Sequence, residues 1–251
     1  MERLLRTQVT GDEPWNRVLQ HKSDPHKQAS ALRDVILGGQ DGLVNVLGVI
    51  LGVAAATGDT QLVLVAGLAA TFAESVSMGA VAYTSSLADA SYYESERERE
   101  YRHILHTPHL ERDEVRALYR KKGFEGAILD HIVDIITANQ DVWVAVMMAE
   151  EHQLAPIDRP HALRSAVVVG VAAVIGSLIP IVPFLFLPVG TSSWVAVLLT
   201  SAVLFGAGAL KARLTVGRPW KSGLEMAIIG TVCALVGYAV GAILKAPLGA
   251  G

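Results

Sequence analysis

The chain has 251 residues, 51% hydrophobic and 18% charged, with a formal net charge of −3 and a positive mean hydropathy. These totals alone fit an apolar soluble protein. They offer no basic excess for a nucleic-acid partner, and the single cysteine, Cys233, excludes a disulfide framework or a thiolate metal cluster.

The distribution of charge separates the classes. From Ser165 to Leu210 run 46 residues without an Asp, Glu, Lys, Arg or His, and Met226–Leu244 adds another 19. A membrane crossing needs roughly 20 apolar residues to traverse ~30 Å of hydrocarbon. A soluble helix of that length would carry charges at helical spacing on its wet face. In chain order, Met1–Lys27 is polar, lacks the apolar core of a signal peptide, and belongs to an N-terminal cytoplasmic arm, residues 1–33. Spans are predicted at Val35–Ala56, Gln61–Leu87, Ala162–Leu187, Ser192–Leu214 and Ser222–Leu244. The predicted domains are the arm, a first membrane pair (34–88), a helical insert (89–161) and three further membrane helices (162–251). The fold class is thus an all-α integral membrane protein with five transmembrane helices and a three-to-four-helix insert between spans 2 and 3.

The turns Thr57–Thr60 and Pro188–Thr191 hold no basic residue, whereas Arg33, Arg164, Lys211, Arg213, Arg218 and Lys221 mark the opposite ends. The positive-inside rule then puts the N-terminus and the insert in the cytoplasm and the C-terminus outside. Small residues recur at i, i+4, as in Gly38/Gly42, Gly48/Gly52 and Gly237/Gly241. Such pairs allow close helix approach, either inside one subunit or across a dimer seam. Pro180, Pro183 and Pro188 are expected to kink or end the third span.

Residues 89–161 hold 15 of the 24 acids, nine of the 21 Lys and Arg, and six of the eight His, a net of −6 against +3 elsewhere. The second span is expected to continue through Ser91–His103. Further helices are expected after a Thr107 cap with Gly123 as stop, over Glu125–Thr137, and over Val142–His152.

Two constellations carry chemistry. Asp41 and Glu74 are acids inside otherwise uncharged spans, where a carboxylate costs roughly 2.5–3.5 kcal/mol and marks a pathway. Asn45 is one turn from Asp41, and Met78 one turn from Glu74, which adds amide and thioether donors. The bland alternative is a protonated acid hydrogen-bonded between helices. In the insert, Glu96, Glu100 and His103 share one helical stripe, Glu111 and Glu114 are three apart, and Met147, Met148 and Glu151 share a face. Carboxylates suit hard divalent ions, while imidazole and thioether favour later first-row metals. Each acid taken singly also fits a solvated helix, but a polar insert has little use for a Met-Met pair. Enzyme motifs such as His-Glu-x-x-His, Gly-x-Ser-x-Gly and the phosphate-binding loop do not occur, so no enzymatic activity is expected.

Asp41-Gly42-Leu43-Val44-Asn45, Glu74-Ser75-Val76-Ser77-Met78-Gly79, the Glu-rich stretch Tyr92–Tyr101, Glu111-x-x-Glu114 and Met147-Met148-x-x-Glu151 together resemble the vacuolar iron transporter family, over Asp34–Leu244. The resemblance implies a homodimer of five-helix subunits exporting Fe2+, and often Mn2+, from the cytoplasm in exchange for protons. It places Asp41 and Met78 on the path at the dimer interface. It gives Glu100, Glu111, Glu114, Met147, Met148 and Glu151 ligand positions in the insert. His103 stands where the family has a second Glu, with Glu96 as a substitute ligand. No prosthetic group is implied, and Fe2+, Mn2+, Zn2+ and Co2+ are the candidate ions. The ferritin-like domain of some bacterial relatives is not expected, and the setting expected is a bacterial plasma membrane. The competing reading is a membrane-anchored metal sensor or buffer that transports nothing.

Overall fold

The computed structural model describes residues 25–156, 159–215 and 217–248; most of the N-terminal arm, including His21, lies outside these. The described residues contain helices and no strand. In chain order they are α1 (Pro25–Thr57), α2 (Thr60–His106), α3 (Pro108–Lys121), α4 (Gly126–Thr137), α5 (Gln140–Glu150), α6 (Arg159–Leu178), a 3-10 segment (Ile179–Leu185), α7 (Val189–Leu214) and α8 (Pro219–Leu248). Five helical stretches are long and apolar enough to cross a bilayer: Ala31–Thr57, Thr60–His106, Ala162–Leu185, Val189–Leu214 and Pro219–Lys245. The chain folds into two compact units, residues 1–79 with 167–251, and residues 80–166.

In the first unit α1 is the central column. Its Val46, Leu47, Ile50, Leu51 and Ala54 are buried with Val63 of α2, Ile181 and Phe184 of the 3-10 segment, Ala196 of α7 and Ala234 of α8. Outward-facing positions are apolar as well: Phe72, Val76, Val167, Ile175, Trp194, Leu198 and Ile243 are all exposed. On α2 it is the polar residues that turn inward. Thr71 and Ser75 are buried and donate to the Gly67 and Thr71 carbonyls at 2.8 and 2.6 Å. An apolar exterior over a partly polar interior is the signature of a lipid solvent, where every polar group must find an internal partner.

The small-residue pairs are packing contacts within the chain. A Cβ at Gly42 would meet Ser177 Oγ of α6 at 2.5 Å, and one at Gly237 would meet the Gly48 carbonyl oxygen, with Gly48 Cα only 2.7 Å away. Gly241 stands likewise against the Gly52 carbonyl. With no hydrophobic drive between helices in lipid, this dispersion-dense approach is what holds α1 to α6 and α8.

The ends of the spans follow local chemistry. Gly58 adopts φ +66, and Asp59 caps α2 by accepting from the backbone N–H of Gln61 and Leu62 at 2.7 and 3.2 Å. The third span changes to a 3-10 segment at Ile179, because Pro180 and Pro183 cannot donate to the helical ladder. The buried Ser192 hydroxyl is placed to donate to the carbonyls of Pro183 (3.1 Å) and Leu187 (2.8 Å), tying the start of α7 back to the end of the 3-10 segment.

The second unit has its own core: Ile104, Val115, Leu129, Val133, Ile136, Trp143, Val144, Met147 and Met148. Helix α2 runs unbroken through Ser91–His103 and ends at His106, slightly beyond expectation. Thr107 occupies the cap position of α3 without capping it; its hydroxyl returns to the His103 carbonyl at 3.1 Å. Arg112 and Arg116 of α3 pair with Asp134 and Asp130 of α4. Asn139 caps α5 by accepting from the Asp141 and Val142 N–H groups, so that helix begins earlier than expected. It also ends earlier, at Glu150, leaving His152 in the following turn.

Close approach gives a test. Gly237→Ala should cost on the order of 1–3 kcal/mol of overpacking, whereas Gly206→Ala, where an added Cβ meets nothing within 4 Å, should be neutral or slightly stabilising. Thermal unfolding of the two detergent-solubilised variants measures the difference.

Candidate metal-binding sites

Each compact unit holds one constellation. In the membrane unit, the spacing of α1 brings Asp41 and Asn45 onto successive turns of the central column. Across the helix pair, the Asn45 amide donates to the Glu74 carboxylate, and the carboxyl group of Asp41 lies beside the same carboxylate. Asp41 and Glu74 are half-buried, Asn45 is exposed, and Met78 is half-buried one turn along α2 from Glu74. The sequence placed Asn45 with Asp41 and Met78 with Glu74; the direct bond between the two pairs appears only in three dimensions. An amide, two carboxyl groups and a thioether on adjoining helices form a donor set for a divalent cation in an otherwise uncharged region.

In the insert, α2 contributes Glu96, Glu100 and His103, α3 contributes Glu111 and Glu114, and the end of α5 contributes Glu151. Glu100 and Glu111 are buried at 3% and 5% exposure, which is unusual for carboxylates. His103 Nδ1 stands 3.5 Å from Glu111 and 4.0 Å from Glu100. One donor atom from each of Glu100, His103 and Glu111 falls within 4.8 Å of the others, close enough to share an ion. The second oxygens, Glu100 Oε2 and Glu111 Oε2, are buried without a hydrogen-bond partner among the described residues. Leaving such atoms unpaired costs about 1–3 kcal/mol or more each. A divalent ion fits that deficit.

The other predicted ligands divide. Glu96 is buried but ion-paired to Arg99 at 3.0 Å, so it is already partnered. Glu114 and Glu151 are exposed yet lie close enough to Glu111 to repel its charge. Met147 and Met148 are fully buried in the insert core against residues such as Val115 and Trp143, a packing role that accounts for them without a metal. The residue that sequence reasoning missed is His152, whose Nε2 lies 2.8 Å from Glu100 Oε1. Its adjacency to Glu151 was the available signal. Reading the helix through His152 hid the turn that carries its ring to Glu100.

Charge crowding shows in the acids' proton affinity. Burial, then the charges of Glu100, Glu114 and Glu151, push the Glu111 carboxyl up from 4.5 to about 7. Burial and Glu114 likewise raise Glu151. For His152 burial works against the charged form, but the hydrogen bond to Glu100 and the charges of Glu100, Glu151 and Glu96 raise it on balance.

Residues 32–242 match the VIT family. The chain is 32% identical over 230 residues to vacuolar iron transporter 1 of Eucalyptus grandis, covering 91% of this chain and 92% of that protein. It is 29% identical over 241 residues to vacuolar iron transporter 1 of Arabidopsis thaliana, covering 95% and 96%. It is also 28% identical over 256 residues to a vacuolar iron transporter of Toxoplasma gondii, covering 98% and 82%.

The raised acids set a pH dependence. A carboxyl at about 7 when folded and 4.5 otherwise binds its proton more tightly in the fold. Its contribution to stability is therefore complete below 4.5 and lost as pH rises through about 7. Hydrogen-exchange protection factors of residues 80–166 in the metal-free protein, with the intrinsic pH dependence of exchange divided out, should thus fall between pH 5 and pH 8, and Glu111→Gln should flatten that fall. A saturating divalent ion should restore protection at the higher pH.

Proposed function

This chain belongs to the VIT family, and we propose that it exports divalent transition-metal ions, Fe2+ and Mn2+ foremost, from the cytoplasm in exchange for protons. The observation that carries the reading is the Asn45–Glu74 hydrogen bond with Asp41 beside it, between two helices that are otherwise uncharged at that depth. A divalent ion entering hydrocarbon must trade its water shell for fixed ligands. The two acids supply charge, Asn45 an amide oxygen once its NH2 group turns away, and Met78 a soft donor that tolerates late first-row metals. A carboxylate released by the ion takes a proton rather than stay bare in a low-dielectric path. Metal and proton thereby compete for one site, which is the physical requirement of exchange. The relatives named above, all vacuolar iron transporters, support iron as cargo.

In this reading the insert collects ions on the cytoplasmic face through Glu100, His103, Glu111, Glu114 and Glu151. Its net charge of −6 over residues 89–161 raises the local cation concentration before any ligand is engaged. A two-fold homodimer would double Asp41 and Met78 into a site of two carboxylates and two thioethers. A sensor or buffer anchored in the membrane would use the insert equally well, but it has no need of acids within the spans.

Two measurements test the proposal. In liposomes with a pH dye inside, wild-type protein should couple Fe2+ or Mn2+ flux to proton movement. Asp41→Asn should lower the flux at least tenfold, a loss of about 1.4 kcal/mol or more of transition-state stabilisation, while metal binding by the insert persists. Near-normal, pH-sensitive flux in that variant rejects the pathway, and a complete lack of wild-type flux favours the sensor reading. For orientation, a cysteine at position 95 in a background lacking Cys233 should resist an impermeant reagent added outside intact cells, and one at position 249 should react. The reverse pattern inverts the topology.

A further inference from the structure

We propose that His152 is a metal ligand, completing with Glu100, His103 and Glu111 a two-imidazole, two-carboxylate site that prefers Zn2+ and Co2+ over Mn2+. The inference rests on reading the insert as a metal-collecting unit and goes beyond it by naming the ions that unit selects.

The case begins with what Glu100 lacks. Both Glu100 and Glu111 are almost wholly buried, yet neither has a Lys or Arg partner among the described residues. The nearby cations are engaged elsewhere: Arg99 with Glu96, Arg112 with Asp134, Arg116 with Asp130, Lys122 with Glu150. The only cationic side chains each acid meets among the described residues are imidazoles. Glu100 Oε1 lies 2.8 Å from His152 Nε2 and 4.0 Å from His103 Nδ1, and Glu111 Oε1 lies 3.5 Å from His103 Nδ1. The remaining oxygen of each acid is buried and unpaired. Two buried carboxylates with orphaned oxygens, one hydrogen-bonded to His152 and both within 4.0 Å of His103, make a donor set that a cation would satisfy.

The spacing agrees. A tetrahedral ion with bonds of ~2.0–2.1 Å sets its ligand atoms ~3.3 Å apart. The three contacts of 2.8, 3.5 and 4.0 Å straddle that value; the donor atoms of Glu100, His103 and Glu111 already lie within 4.8 Å of one another, and His152 joins them through Glu100, so its ring must swing inward to share the ion. The backbone gives His152 its position. Helix α5 stops at Glu150, Gln153 takes a left-handed φ of +54, and the Leu154 N–H returns to the Met148 carbonyl at 2.9 Å. The tight turn fixes the ring against the Glu100 side of α2.

Ligand chemistry then decides selectivity. An all-carboxylate cluster suits Mn2+ in six-coordinate oxygen geometry, whereas imidazole suits Zn2+, Co2+ and Fe2+. Any such site binds Zn2+ more tightly than Mn2+, so the diagnostic quantity is the change in the Zn2+/Mn2+ ratio when the imidazole is removed.

The experiment uses the full chain in detergent with Zn2+, Co2+ and Mn2+ chlorides as probes, measured by calorimetry and, for Co2+, by its visible d–d absorption. His152→Gln keeps a donor for Glu100 but loses the imidazole. It should weaken Zn2+ and Co2+ binding about tenfold to a hundredfold, lower the Co2+ band intensity, and shift Mn2+ affinity by less than about twofold. His152→Glu should restore Mn2+ affinity to wild type or better while leaving Zn2+ weak. Equal losses for all three ions, or no loss with an unchanged Co2+ spectrum, overturn the proposal, since His152 would then only orient Glu100 or do nothing. Liposome flux separates this from the transport reading: flux by wild type with an unaltered His152→Gln ratio defeats the selective site alone, and a shifted ratio without wild-type flux upholds the site while defeating transport.

Discussion

Everything in the membrane unit depends on how closely α1 approaches its neighbours. At Gly42 and at the Gly48/Gly237 and Gly52/Gly241 contacts there is no space for even one carbon between backbones. Helices locked at that range cannot rotate or slide without opening a void, and a void in lipid has no hydrophobic penalty elsewhere to offset it. The register of α1 against α6 and α8 is therefore fixed, and toward α2 the close approach is at Gly67, where a Cβ would meet the Ile50 side chain at 2.7 Å. A hydrogen bond between exposed and half-buried groups would be unreliable on a loosely packed pair. Here the precision comes from residues that have no side chain at all.

The insert solves the opposite problem. Its apolar core of Val115, Val133, Trp143, Met147 and Met148 gathers helix ends whose acids repel one another. That arrangement is affordable only because a proton or a cation can enter among them. Glu111, raised to about 7, sits where small changes of pH or of free metal alter its charge. The two constellations share one feature: each gathers carboxyl groups whose charge the surrounding residues only partly offset. In the insert, exposed Glu114 and Glu151 add to the repulsion at Glu111; within the spans, the Asn45 amide partners Glu74.

Much of this was legible in the sequence. The spans stood out because lipid removes the need for polar faces, and the 46 uncharged residues from Ser165 admit no other reading. Asp41 and Glu74 stood out for the same reason in reverse. The helical stop at Pro180 and the continuation of α2 through Ser91–His103 followed from local backbone rules. Long-range facts did not show. Whether the Gly pairs served one subunit or two was undecidable from spacing, since i, i+4 describes a face and not its partner. The Asn45–Glu74 bond joins residues 29 apart along the chain. His152 escaped because the periodicity argument carried a helix past Glu150, where Gln153 in fact turns the chain left-handed. Met147 and Met148 stood out as donors, yet their burial alone explains their presence.

The Ser192 hydroxyl, shared between the carbonyls of Pro183 and Leu187, bears on biogenesis. Those two carbonyls and the hydroxyl lie within ten residues of sequence, so the bonds can form as soon as that stretch leaves the ribosome. The segment then enters lipid with a hydroxyl donor already matched to the Pro183 and Leu187 carbonyls and with no ionisable group between Ser165 and Leu210. Such a segment can partition into the bilayer as a single object, without hauling a charge across and without waiting for α8. A proline-broken span would otherwise leave backbone groups for a neighbouring helix to match; here a serine in the same stretch supplies part of that match.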